Sequence, residues 1–277
     1  VLLISPPGTY GERFAGLGLR WVPAPMVRRS LNPLREAALV VWLARLFRKE
    51  RIDIIHSFTV KCAVYGSLAA RMAGVESRIS AVAGLGYVFT SPQLKARLLR
   101  PIVRKLLRLA LGGEKSRLIL QNSSDATVFG ESGIVHARAI RLIRGSGVAT
   151  GRFNQGGVRL PGDPLKVLMA ARLLWDKGIR EYIEAGQILK KEGRSVQLLL
   201  AGSPDPGNPN SVPVEQVLQW SDQGYVTYLG HVEDMVSLMA TVHVMALPTA
   251  YGEGVPRSLI EAAACGLALV ASDAPGC

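Results

Sequence analysis

From residue 165 onward the chain alternates short apolar runs with longer segments of helical period, and this alternation constrains the fold more than any other feature. Runs at 166–170, 196–201, 226–229, 242–247 and 268–271 predict strands, and 179–192, 214–223, 233–240 and 256–265 predict the helices between them. Strands that are apolar throughout are buried on both faces, and crossovers of this length hold helices, so the pattern predicts an α/β, doubly wound parallel sheet. Sheets of this kind bind ligands at the carboxyl ends of their strands.

The first half repeats the rhythm with looser spacing. Strands are expected near 1–4, 53–56, 78–82, 118–121 and 140–143, and helices near 34–51, 63–73, 94–111 and 124–131. Between the halves, 145–162 is rich in glycine and polar residues and lacks periodicity, as an interdomain linker does. Two domains, 1–150 and 151–277, are therefore expected, and a hydrophobic content of 48% is enough to build both cores. Both ends of the chain read as cut from something longer. The net charge of +12 divides unevenly, with 23 Lys+Arg against 8 Asp+Glu in residues 1–150 and 10 against 13 in the rest. A half so basic points to a polyanion, whether nucleic acid, phospholipid headgroups or a phosphorylated substrate. No apolar run of about 18 residues predicts a membrane span, and no signal peptide is visible at the N-terminus. Cys62, Cys265 and Cys277 suggest neither a disulfide framework nor a zinc site, which fits a reducing cytoplasm.

Two constellations carry chemistry. In Tyr251-Gly-Glu-Gly-Val-Pro-Arg-Ser-Leu-Ile-Glu261, Glu253 precedes a helix expected to open at Pro256, and Glu261 lies inside it. Unpaired N–H groups at that helix start favour a phosphate or sugar oxygen, and ionised carboxylates accept paired hydrogen bonds from diols. The plain alternative is a solvated loop carboxylate and a helix-surface charge. In Arg172-Leu-Leu-Trp-Asp-Lys177-Gly178, two cations flank a turn after the domain's first strand, where they could neutralise a diphosphate or simply face water.

Together these spacings resemble glycosyltransferase family 4, retaining enzymes of GT-B fold with two Rossmann-like domains facing across a cleft. Gly145-Ser-Gly-Val148 with Arg152-Phe153, Leu229-Gly-His-Val-Glu-Asp234 and Ser272-Asp-Ala-Pro-Gly276 extend the resemblance over essentially the whole chain. His56-Ser-Phe-Thr-Val-Lys61, Tyr65-Gly66 and Gly84-Leu-Gly-Tyr-Val-Phe89 resemble the subgroup acting on polyprenyl-diphosphate-linked sugars. The resemblance implies that Arg172 and Lys177 take the donor diphosphate, Glu261 the ribose and Glu253 the transferred sugar. It gives backbone N–H groups around Gly254 and Val255 to sugar hydroxyls, and the turn at His231 and Val232 to the base. It places His56 opposite the donor sugar and leaves His136 and His243 without a role. Family members normally begin with a further strand, a glycine-containing loop and a helix, and end with closing strands and a helix that are not found here.

The implied reaction moves a sugar from a nucleoside-diphosphate sugar, expected to be UDP-linked, to a lipid-linked acceptor at the cytoplasmic face of the plasma membrane. No cofactor and no metal is expected, since neither H-E-x-x-H nor Asp-x-Asp occurs and the two cations can serve the leaving group. A nucleotide-sugar epimerase, which needs no acceptor, and a non-catalytic nucleotide-sugar-binding protein are the competing readings. Nucleic acid is not expected as a partner, because aromatic content is 6% and no stacking motif is present. An anionic membrane surface is expected instead, met by helix 94–111. On a helical projection Arg97, Arg100, Arg104, Lys105 and Arg108 share one arc opposite Leu98, Leu99, Ile102, Val103 and Leu106, with Lys95 on the apolar side and Pro101 set to kink the helix or start a new one. The plain alternative is an amphipathic helix packed on the sheet with its charges in water.

Overall fold

The computed structural model describes residues 1–27, 30, 32–83, 94–154, 162–250 and 252–277. The motif at 84–89 and Tyr251 lie outside the described residues. The chain forms two compact units. The first holds residues 1–120 and 126–141, and the second holds 121–125 and 142–277.

In the first unit, β1 (Leu2–Ser5), α1 (Thr9–Gly16) and β2 (Arg20–Pro23) make a parallel two-stranded sheet with its crossover. Helix α1 and strand β2 are not among the elements expected from the sequence, where glycines stand at 8, 11, 16 and 18. Gly11 has a packing reason, since a Cβ there would fall 2.3 Å from the Trp21 ring. Helix α2 (Pro33–Lys49) starts where its pattern predicts. The Asn32 side chain caps it by accepting from Leu34 N and Arg35 N, and Pro33 opens the first turn. A four-stranded sheet follows in the order β3 (Ile54–Phe58), β4 (Ser77–Val82), β5 (Ser116–Leu120), β6 (Ile140–Leu142). Helices α3 (Val60–Ala73), α4 (Leu94–Leu111) and α5 (Ser123–Glu131) intervene. Among the described residues β1 and β2 are not hydrogen-bonded to this sheet, so the first half is two sheets where one was expected.

The second unit is one five-stranded sheet ordered β11-β10-β7-β8-β9, parallel in every pairing. Its strands are β7 (Leu165–Ala170), β8 (Val196–Ala201), β9 (Thr227–Gly230), β10 (Val244–Leu247) and β11 (Ala268–Ala271). Helices α6 (Ile179–Lys191), α7 (Val214–Asp222), α8 (Met235–Ala240) and α9 (Arg257–Ala264) fill the crossovers. Leu168, Met169, Leu200, Met239 and Met245 are buried in the core they enclose, which is the burial the apolar strands required. Strand order runs outward from β7 in both directions, so the switch point of this doubly wound sheet lies between β7 and β10.

The expected division at residue 150 is corrected to Leu142. The described part of the supposed linker belongs to the second unit, because Phe153 is buried in its core and Val148 packs against it. Gly145 also lies against Val255 and Ile260.

Candidate active site

The loops leaving β7 and β10 emerge side by side at the switch point, each carrying one of the two sequence constellations. Arg172 lies two residues beyond β7, and Lys177 ends a single 3-10 turn, Trp175–Lys177. Gly178, at φ +84°, then turns the chain into α6. A Cβ at Gly178 would meet Pro248 O at 1.9 Å, so the close approach of the two loops requires glycine. Asp176 sews them together. Its carbonyl accepts from Ala250 N (3.0 Å) and Thr249 Oγ1 (3.1 Å). In consequence Lys177 Nζ forms an ion pair with Glu253 Oε1, both side chains only 13% exposed.

Pro256 precedes α9 in an extended conformation and is not its first residue, a correction to the expected helix start. Glu261 faces Arg257 one turn away, with Arg257 Nε donating at 2.7 Å. The expectation of unpaired N–H groups around Val255 is also corrected, because Val255 N donates to Gln121 Oε1 at 3.1 Å. Gln121 and Asn122 belong to this unit, and Asn122 Nδ2 donates to Glu253 O (2.9 Å) and Gly254 O (3.3 Å). Both polar side chains thus fix the backbone that carries Glu253. The sequence reading gave them no part, since a Gln-Asn pair after a strand has no signature of its own. Gly254 is buried, and a Cβ on Gly276 would fall 2.2 Å from its carbonyl oxygen.

His231 and Val232 follow β9 directly. His231 is exposed, and Val232 rests on the core ahead of the Asp234 cap of α8. Arg172, Lys177, Glu253, Gly254, Val255, Glu261, His231 and Val232 therefore all stand at the carboxyl edge of one sheet. His56 lies in β3 of the other unit, exposed, its ring 4.3 Å from that of Phe58. His136 caps a short turn by accepting from Arg138 N, and His243 Nδ1 accepts from Lys166 N, which accounts for both structurally. Among the described residues no cluster of three His, Cys, Asp or Glu is arranged to hold a metal.

Two Rossmann-like α/β units, one with cations and carboxylates gathered at its switch point, define a glycosyltransferase of GT-B fold. Comparison with known proteins agrees. The family model described as Glycosyl transferases group 1 matches residues 164–277, and that described as Glycosyl transferase 4-like matches residues 2–123. The chain is 31% identical to the N,N'-diacetylbacillosaminyl-diphospho-undecaprenol alpha-1,3-N-acetylgalactosaminyltransferase of Campylobacter jejuni, across 100% of this chain and 74% of that protein. It is 24% identical to the UDP-Gal:alpha-D-GlcNAc-diphosphoundecaprenol alpha-1,3-galactosyltransferase of Escherichia coli, across 91% of this chain and 66% of that protein. Anabaena Alr3699/HepE, crystallised in complex with UDP and glucose, shares the fold with a TM-score of 0.76 at 20% identity, over 99% of this chain and 73% of that one. The chain belongs to glycosyltransferase family 4.

Proposed function

We propose that the protein transfers a sugar, with retention at the anomeric carbon, from a UDP-sugar to a saccharide carried on polyprenyl diphosphate, in the assembly of a surface polysaccharide or glycan. The observation that carries this reading is the Lys177–Glu253 pair at the β7/β10 switch point, with Arg172 and Glu261 on the same sheet edge. Cations at a strand end stabilise a departing diphosphate, and carboxylates beside them hold hydroxyls of ribose and sugar. In the retaining chemistry proposed, the acceptor attacks from the face the nucleotide leaves, and a donor phosphate oxygen takes the acceptor proton. No protein nucleophile and no divalent metal is assigned. The names of the two bacterial relatives support the acceptor class, and one of them supports the uridine nucleotide.

The test is transfer by the full-length protein from a panel of UDP-sugars to a polyprenyl-diphosphate sugar, with and without excess chelator, and product configuration read by NMR. An α-linked product from an α-donor, formed in chelator, is the expected result. An inverted linkage, strict metal dependence, or conversion of the donor with no acceptor present would each overturn a stated part of the proposal.

The same reading includes contact with an anionic membrane at the cytoplasmic face. No helix among the described residues is long and apolar enough to cross a membrane. Helix α4 supports a surface contact in a form different from the expected two-faced helix. Leu107, Ala110 and Leu111 are buried in the first unit's core. Leu98, Ile102 and Leu109 are 65%, 58% and 53% exposed. On the helical wheel these three fall within about 40° of one another, with exposed Lys105 about 20° beyond Leu98 and exposed Arg104 about 120° beyond it on the same side. Arg108 is committed to Gly133 O and Ser132 O, and the Arg97 side chain lies outside the described residues. A helix with one sector buried in protein, one exposed and apolar, and one cationic has the composition of an interfacial helix.

A further inference from the structure

The loop after β8, residues 202–212, takes no part in the donor reading, yet it is fastened to the β7 loop along its length. Main-chain bonds run from Leu173 N to Ser203 O (3.0 Å), from Trp175 N to Asn210 O (2.9 Å) and from Val212 N to Leu173 O (2.9 Å). Its polar side chains point the same way. Asp205 Oδ2 accepts from Arg172 Nη1 at 2.8 Å and from Asn208 Nδ2 at 3.1 Å. Asp205 N donates to Ser211 Oγ, and Asn210 N to Asn208 Oδ1. Asn210 Nδ2 donates to Asp176 Oδ2 at 2.6 Å. The segment Asp205-Pro-Gly-Asn-Pro-Asn-Ser211 therefore holds two points of the β7 loop, the Arg172 side chain and the Asp176 carboxylate.

The two partners of the ion pair are unequal. Asp205 is 8% exposed, whereas the Arg172 side chain is 51% exposed. A carboxylate so enclosed is fixed by its hydrogen bonds, while an arginine half in water would otherwise sample many rotamers. Holding one terminal nitrogen of a planar guanidinium sets the direction of its other N–H groups. We propose that Asp205 is a positioning residue for glycosyl transfer, holding Arg172 in the orientation that meets the donor diphosphate as it leaves. The inference rests on the reading of Arg172 as a diphosphate ligand.

The electrostatics separate this role from a merely structural one. Asp205 brings a negative charge next to a cation meant for a dianion, so it opposes nucleotide binding while it improves geometry. Removing the charge should spare or tighten UDP binding and still slow transfer, an opposition of signs that general loosening of the fold does not produce.

The experiment compares the full-length parent with Asp205→Asn, Arg172→Ala and the double variant, measuring kcat, UDP affinity by calorimetry and thermal stability. Asp205→Asn is expected to lower kcat by about tenfold to a hundredfold, the order of loss a small misplacement causes, with UDP affinity unchanged or higher. In the Arg172→Ala background the second substitution is expected to add nothing. Parallel losses of kcat and UDP affinity, an unchanged kcat, or additive losses in the double variant would overturn the inference. Arg172→Ala that alters neither transfer nor UDP binding would instead overturn the reading of Arg172, a distinguishable failure. Should Asp205→Asn not fold, Asn208→Ala removes the second hydrogen bond to the same Oδ2. A fall in kcat with UDP affinity retained then supports the inference, and an unchanged kcat overturns it.

Discussion

Lys177 and Glu253 are separated by 76 residues in the chain and joined by an ion pair between Nζ and Oε1. With 13% exposure on both sides, neither charge is well solvated, and each is the other's substitute for water. In the proposed function a bound donor would compete for both, with diphosphate oxygens for the lysine and sugar hydroxyls for the carboxylate.

Lys177→Ala is expected to weaken UDP binding by roughly 1.5–3 kcal/mol, the range for a charge-assisted hydrogen bond. Titration calorimetry checks this, and an unchanged affinity would remove Lys177 from the diphosphate site.

The two carboxylates are expected to separate in role. Glu261→Ala should weaken UDP binding through loss of the ribose contact. Glu253→Gln should spare or strengthen it, because Lys177 loses its internal partner, while transfer slows. Measuring UDP affinity and kcat on both variants decides the matter, and equal losses of affinity would refute the assignment.

Gly178→Ala tests the meeting of the two loops. The φ of +84° and the 1.9 Å approach to Pro248 O leave no space for a methyl group. A loss of about 1–3 kcal/mol is expected from backbone strain alone, read as a lower melting temperature, with UDP binding reduced because the β7 and β10 loops move apart.

In the first unit, Lys61 Nζ donates to Val27 O, Ser30 O and Glu36, and lies 5.5 Å from the Tyr65 ring centroid. Burial pushes the Glu36 carboxyl up, but the hydrogen bonds from Lys61 and Ser30 and the lysine's charge outweigh it and hold the group below the ordinary value of 4.5. Burial, and then the Glu36 charge, push the Tyr65 hydroxyl up to about 12. A depressed carboxylate stabilises the fold above its unfolded-state value, and that stability is lost as pH falls through its folded value. Lys61→Met should therefore lower the melting temperature most at neutral pH, and the gap from the parent should shrink as pH drops below 4.5. A gap constant from pH 7 to pH 3 would show that the charge pair is not its source.

For α4, Leu98→Asp/Ile102→Asp/Leu109→Asp should reduce binding to anionic liposomes, and Arg104→Gln/Lys105→Gln should reduce it in proportion to lost charge, by up to about 1 kcal/mol per cation. Nucleotide affinity should be unaffected in both. Sedimentation with anionic and neutral vesicles at two salt concentrations reads the outcome, and parent-like binding by the triple variant would exclude this helix as the contact.

The βαβ rhythm of the second half was legible residue by residue, because strands such as 196–201 are apolar on both faces and their helices carry a 3.6-residue period. Local chemistry determined as much for Asn32-Pro33, which opens α2, and for Gly74, which closes α3. The types and spacings of Arg172, Lys177, Glu253 and Glu261 singled them out as a candidate donor site, and the structure gathers them at the carboxyl edge of one sheet. Helix α1 and β2 were not legible among the glycines of 8–18, since only the Trp21 ring across the crossover gives Gly11 its purpose. In α4 the sequence fixes the angular order of the side chains but cannot say which arc the protein core will occupy: Leu98 and Ile102, on the expected apolar arc, stand exposed, and Leu107, named on neither arc, is buried. Tertiary structure alone decided that Lys177 meets Glu253, that Asp205 holds Arg172, and that Gln121 and Asn122 brace the Glu253 loop. The Lys177–Glu253 and Arg172–Asp205 pairings depend on strand order, and it is the order β10-β7-β8, which no local pattern encodes, that brings those three loops together.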